Sequence, residues 1–276
     1  MKINTRTFQF LLLPCLLTFM FVACGQSSTS ATRPKPASTV TRGISGQQVL
    51  STPVTYVALG ASDAVGVGSK QPGSQGYVPL LEARLQKGSH LINLGISGIE
   101  LHAALSQELP LALATSPKLI TIWLVTNDFV GGVSYSNYMH DLDTLLQQLR
   151  TGTVARIVIA NLPDLTRLPL FKGQSAQTKA QMLANIVQWN KAIATIASRY
   201  GVTLVDLFSR ESQLTTHPEY ISSDGFHPSP AGYVQLSNYF WDAIQVRGEY
   251  TFRGDDEHDT EFSNANASRG RCGSEQ

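Results

Sequence analysis

Tyr56-Val57-Ala58-Leu59-Gly60-Ala61-Ser62-Asp63-Ala64-Val65-Gly66-Val67-Gly68 is the stretch whose reading decides the fold. A run of apolar, β-favouring residues stops at a glycine, and a serine follows two residues later. A parallel strand buried on both faces reads as such a run, and its carboxyl end is where open α/β sheets present side chains to a crevice. A glycine turn after a strand is common, so the serine gains meaning only from partners. It needs a base, a group to orient that base, and donors for an oxyanion.

Outward from this stretch, strands and helices alternate. The first strand is expected at 54–59, and a helix at 77–85 places Leu80, Leu81 and Leu85 at helical spacing. A short strand at 90–94 runs into Gly95-Ile96-Ser97-Gly98, and a single helix is expected from about 100 to 108. Residues 118–125 are apolar on both faces. Tyr138, Leu142, Leu145, Leu146 and Leu149 give a helical stripe ending near Gly152. A fourth strand at 154–160 leads into Asn161-Leu162-Pro163-Asp164-Leu165. A long helix follows with Met182, Leu183, Ile186, Ile193, Ile196 and Tyr200 on one face and Gly201 as its stop. After a fifth strand at 202–207, the last helix opens with Ser229 as N-cap and Pro230 at its first position. Five strands alternating with five helices predict an α/β fold, a five-stranded parallel sheet covered on both faces. The loops at 70–76 and 161–177 are expected to wall the crevice, with Leu165, Leu168, Leu170 and Phe171 as an apolar side.

A chain of 276 residues buries a sizeable core, and one large domain is expected at 53–247. A formal net charge of +1 and the lack of a basic tract argue against a nucleic-acid partner. Lys2 and Arg6 precede an apolar run at 8–23, which is the pattern of a secretory signal over residues 1–23. That run is short against the roughly 20 apolar residues a spanning helix needs, and Pro14 interrupts it. Phe21-Val22-Ala23-Cys24-Gly25 resembles a bacterial lipobox. The resemblance implies cleavage before Cys24, its lipidation, and anchoring to the outer face of the bacterial cell membrane. With Cys24 alkylated, Cys272 has no partner in the mature chain, so no intrachain disulfide is expected. Residues 24–52, rich in Ser, Thr, Pro, Gly and Ala, read as a flexible tether, and 248–276 as a polar, disordered tail.

The partners that Ser62 requires are found at other strand ends. Ser223-Asp224-Gly225-Phe226-His227-Pro228 precedes the last helix. An Asp and a His three apart in a turn place both side chains on one side, so the carboxylate takes one ring N–H and leaves the other nitrogen as a base. His90, His102, His140, His217 and His258 lack this arrangement, although His217 shares the loop before the last helix. Thr126-Asn127-Asp128 closes the third strand and offers a neutral amide donor. Gly98 closes the turn after the second and offers a backbone N–H. No His-Glu-x-x-His or paired-cysteine pattern occurs, so no metal and no cofactor is expected.

Gly60-Ala61-Ser62, Asn93-Leu94-Gly95-Ile96-Ser97-Gly98, Val125-Thr126-Asn127-Asp128 and Asp224-Gly225-Phe226-His227 resemble, in order, the four blocks of the SGNH (GDSL-like) hydrolases. The resemblance spans roughly 54–244. It implies a three-layer α/β/α flavodoxin-like fold and ester hydrolysis through an acyl-enzyme. Ser62 would be the nucleophile, His227 the base and Asp224 its orienting acid. The N–H groups of Ser62 and Gly98 and the side chain of Asn127 would form the oxyanion hole. The expected substrate is an ester of an acyl lipid or an acylated glycan, and a monomer is expected. Two positions depart from the family pattern. Ala61 stands where the family has Asp, with an acid displaced to Asp63, and Val125 stands where it has Gly. The α/β-hydrolase elbow Gly-x-Ser-x-Gly does not fit, because Ala64 lies two after Ser62 and the acid lies three before His227. Two alternatives keep the same residues: an acyltransferase with a sugar or lipid acceptor, and a non-catalytic module that binds glycan or lipid.

Overall fold

A computed structural model of the chain describes residues 41–42, 45–246 and 251–252. The expected signal segment, Cys24, and most of the expected tether and tail lie outside the described residues. Five parallel strands form one sheet: β1 (Thr55–Gly60), β2 (His90–Asn93), β3 (Leu119–Trp123), β4 (Arg156–Ala160) and β5 (Thr203–Val205). Their spatial order is β2-β1-β3-β4-β5. Tyr56 pairs with Leu91 on one side and Leu119 on the other, and Ile122 of β3 pairs with Ile159 of β4. The direction of travel reverses between β1 and β3, so the crevice outside their carboxyl ends is the switch point at which such folds bind ligands.

Helices cover both faces. On one side lie α1 (Gly46–Ser51), the one-turn α2 (Ser62–Val65), α3 (Tyr77–Glu82) and, last in the chain, Pro230–Gln245. On the other lie α4 (Leu101–Gln107), α5 (Leu109–Ala114), a short α6 (Thr126–Gly131), α7 (Tyr135–Gly152) and α8 (Ala176–Arg199). The crossover after β5 holds α9 (Glu211–Thr216), and Pro230–Gln245 is α10. Caps fix the long helices. Ser134, Ser175 and Ser229 each accept a backbone N–H from Asn137, Thr178 and Gly232, a contribution of about 1 kcal/mol apiece. The apolar stripe of α7 is fully buried at Leu142, Leu146 and Leu149. The C-terminal turn of α8 is closed by the buried Arg150, whose guanidinium donates to the carbonyls of Tyr200, Ala155 and Gly201.

Three local expectations are corrected. The helix expected at 100–108 is Leu101–Gln107, but a second, unexpected helix follows it at Leu109–Ala114, where Pro110 needs no N–H in the first turn. The tether expected at 24–52 ends in α1, where Ser45 and Gln48 form a reciprocal capping box and Val49 is fully buried against α10. Thr41–Arg42 also pairs antiparallel with Thr251–Phe252, two residues assigned to the tail. Here short runs with specific partners offset the entropy that composition alone predicts to win.

Candidate active site

The turn that carries Ser62 begins where β1 ends. A side chain at Gly60 would come within 2.6 Å of Ala64 Cβ, so glycine lets the chain fold straight back into α2. Two side chains from elsewhere in the chain hold this turn. Glu108 Oε2 accepts the Gly60 N–H at 3.1 Å. Asn93 Nδ2 donates to the Ala64 carbonyl at 2.7 Å, and its Oδ1 accepts the Gly95 N–H at 3.1 Å. Gly66, at φ +91°, closes the turn.

The second component is the loop between α9 and α10. Asp224 Oδ1 accepts three hydrogen bonds, from the Ser222 hydroxyl and from the N–H groups of Phe226 and His227, at 2.8, 2.8 and 2.9 Å. Its Oδ2 lies 2.7 Å from His227 Nδ1. Burial pushes the Asp224 carboxyl up, but the bonds from His227, Phe226 and Ser222 outweigh it and hold the group well below the usual carboxylate range. His227 Nε2 then lies 2.9 Å from Ser62 Oγ. Residues from the first and last parts of the domain thus meet in one hydrogen-bonded chain.

Direct contact locks the two components together. Gly68 sits at φ +98°, and a Cβ there would stand 2.3 Å from the Pro228 carbonyl oxygen and 3.1 Å from His227 Cβ. The Tyr233 hydroxyl of α10 donates to the Val67 carbonyl. The loop after β4 adds a wall, where the Leu170 N–H donates to Gly225 O at 3.1 Å.

Asn127 stands in the first turn of α6, and its Nδ2 donates one hydrogen to the Ile99 carbonyl at 2.9 Å. That bond orients the amide and leaves its second hydrogen without a partner among the described residues. Gly98 has φ +80° and open space where a side chain would stand. The N–H groups of Ser62 and Gly98 make no hydrogen bond among the described residues. All five residues singled out from the sequence therefore gather at the carboxyl edge of the sheet. His217 does not join them, since its Nδ1 pairs with Glu219 at 2.8 Å.

Both departures from the family pattern are buried. Val125, two residues past β3, is the N-cap of α6 and is buried, and Ala61 is the buried N-cap of α2. Asp63 is only 7% exposed, with no side-chain partner among the described residues. Burial pushes its carboxyl up to about 6, partly opposed by the nearby His227. Asp63 lines a cavity of about 100 Å3 together with Trp123, Thr126, Leu168 and Phe226. Of the four residues expected to form an apolar side of the crevice, Leu165 and Leu168 line this cavity and are buried beneath the loop, Leu170 is exposed, and Phe171 meets Phe226 edge-on.

Reading the sequence missed the supports. Glu108 is 1% exposed, and burial pushes its carboxyl up to about 8. Asp128 accepts the Leu101 N–H with both oxygens and is likewise raised by burial, to about 7. Among the described residues, no group of three or more His, Cys, Asp or Glu is arranged to hold a metal ion.

Comparison with known proteins agrees with this architecture. The sequence profile of the "GDSL-like Lipase/Acylhydrolase family" matches residues 58–235. The structure of TesA is 25% identical with a TM-score of 0.55, covering 69% of this chain and 98% of that one. Axe2, an acetylxylan esterase from Geobacillus stearothermophilus, is 20% identical with a TM-score of 0.58, covering 72% and 97%. EstA, a psychrotrophic esterase from Pseudoalteromonas sp. solved with monoethylphosphonate as inhibitor, is 20% identical with a TM-score of 0.54, covering 69% and 96%. The last two carry the likeness of fold. No curated protein sequence matches the chain.

Proposed function

Because the chain belongs to the GDSL-like lipase/acylhydrolase family, we propose that it is a serine esterase cleaving carboxylic esters through an acyl-enzyme. The observation that carries this reading is the continuous line Ser62 Oγ, His227 Nε2, His227 Nδ1 and Asp224 Oδ2, with separations of 2.9 and 2.7 Å at its two hydrogen bonds. A serine hydroxyl is a poor nucleophile until a base removes its proton. His227 Nε2 takes that proton as Oγ attacks the ester carbonyl carbon, and Asp224 stabilises the imidazolium through Nδ1. The carbonyl oxygen becomes an oxyanion facing the N–H groups of Ser62 and Gly98 and the free amide hydrogen of Asn127. As the tetrahedral intermediate collapses, the C–O bond to the alcohol breaks and the alcohol leaves with the proton from Nε2. Water then enters by the same route, giving its proton to Nε2 and releasing the acid.

The substrate class is an acyl lipid or an acylated glycan. For the N-terminus, we infer from the lipobox-like run ending at Cys24 that the chain is exported and held at the outer membrane face by a lipid. Labelling with a fluorophosphonate tests the chemistry. The probe is expected on Ser62, and Ser62→Ala is expected to lose both labelling and hydrolysis of p-nitrophenyl esters. A Ser62→Ala protein as active as the parent would overturn the reading.

A further inference from the structure

Helix α6 carries Asn127 in its first turn, and its other end opens onto a second concavity. This open groove of about 700 Å3 runs between the turn at Gly132 to Tyr135 and helix α8. Its lining is uncharged and divides in two. Phe129, Val133, Tyr135, Met182 and Trp189 give an apolar side, and α8 supplies the amides of Gln177, Gln181, Asn185 and Gln188. These amides recur at four, four and three residues, so they share one face of the helix. Among the described residues, no Asp, Glu, Lys, Arg or His side chain lines the groove.

The rings are held in place before any ligand arrives. Trp189 stacks on Tyr138 at 4.7 Å between centroids, and meets Tyr135 edge-on at 6.2 Å. Tyr135 is 39% exposed. Gln181 donates to Asn185 at 3.0 Å, while the side chains of Gln177 and Gln188 make no hydrogen bond among the described residues.

We propose that this groove is a subsite for the uncharged sugar backbone of an acylated glycan, holding units beyond the one whose ester lies at Ser62. This inference rests on the esterase reading of the site. A sugar ring presents an apolar C–H face and a rim of hydroxyls. The Tyr135 ring matches the face, with the buried Trp189 backing it, and carboxamides, each both donor and acceptor, match hydroxyls of either polarity. An acyl chain would strip water from the amides and return no hydrogen bond. A charged polymer would meet no opposite charge. Helix α6, six residues and about 9 Å long, joins the groove to Asn127, close enough for one oligosaccharide to reach both.

The test uses the full chain with Ser62→Ala, titrated calorimetrically with cellotetraose, xylotetraose and tetra-N-acetylchitotetraose. At least one is expected to bind saturably, with affinity falling tenfold or more on adding Tyr135→Ala or the pair Gln181→Ala and Gln188→Ala. All three positions are surface sites whose truncation leaves the core intact. In the active protein, the ratio of kcat/KM on the acetylated form of the bound tetrasaccharide to that on p-nitrophenyl acetate is expected to fall tenfold with the same changes. Binding of none of the three, or a ratio that does not move, overturns the proposal. So does loss of binding to phosphatidylcholine vesicles in place of the sugar effect. Failure of the esterase reading is recognised separately, as absence of p-nitrophenyl acetate turnover in the protein with Ser62 intact.

Discussion

Replacing Glu108 with Gln is expected to reverse sign with pH. In the native protein this carboxyl is 1% exposed, one oxygen holds the Gly60 N–H, and the other has no partner among the described residues. Burial raises its pKa from 4.5 to about 8. The folded state therefore keeps a proton that the unfolded chain releases, and stability falls as pH rises from about 4.5 to about 8. A displacement of about 3.5 pH units at about 1.4 kcal/mol each makes the full loss about 5 kcal/mol. Glutamine still accepts the Gly60 N–H but buries an unpaired amide, costing about 1–2 kcal/mol at every pH. The variant should thus be the less stable protein near pH 5 and the more stable one at pH 9, by about 3 kcal/mol. Urea unfolding followed by tryptophan fluorescence at pH 5, 7 and 9 measures both proteins. Asp63 and Asp128, also raised by burial, occur in each and cancel in the difference. A difference that stays constant from pH 5 to 9 would refute the reasoning, since Glu108 would then titrate alike in both states.

Other outcomes follow from the geometry. Asn127→Ala should lower kcat by about 100- to 1,000-fold, because it removes one oxyanion donor; steady-state kinetics on p-nitrophenyl acetate reads this, and an unchanged kcat would remove Asn127 from the oxyanion hole. Asp224→Asn should lower kcat by about a thousandfold or more while the protein still reacts slowly with a fluorophosphonate, since the base loses its orienting charge but the serine remains. Gly68→Ala should cut activity more than tenfold and cost about 1–3 kcal/mol, through the left-handed backbone and the clash at Pro228. Gly73→Ala, which meets no atom within 4 Å, serves as its silent control.

The sheet was legible because parallel strands buried on both faces leave unbroken apolar runs, and each of the five lies within two residues of its expected ends. The gathering of Ser62, Gly98, Asn127, Asp224 and His227 was legible from position, since each stands just past a strand or just before the last helix. The supports were not. Glu108 and Asp128 are carboxyls on short helices, and sequence gives an acidic residue there a solvent-facing reading; only the folded chain shows their backbone partners. The capping box of Ser45 and Gln48 was readable, yet the polar composition around it pointed to a tether. The amides of α8 carry a helical period, but their meaning depends on Tyr135, which reaches them only through tertiary packing.

The contact of Gly68 with Pro228 orders events in time. Ser62 and His227 are 165 positions apart, and His227 lies in the loop that leads into α10, the last helix of the domain. A ribosome delivers Ser62 early, but its hydroxyl has no imidazole partner until that final segment is made and docks. Domains mature as units during synthesis, so a C-terminally clipped chain carries the serine without its hydrogen-bond partner. On the proposed reading, chemical competence arrives as the last consequence of folding.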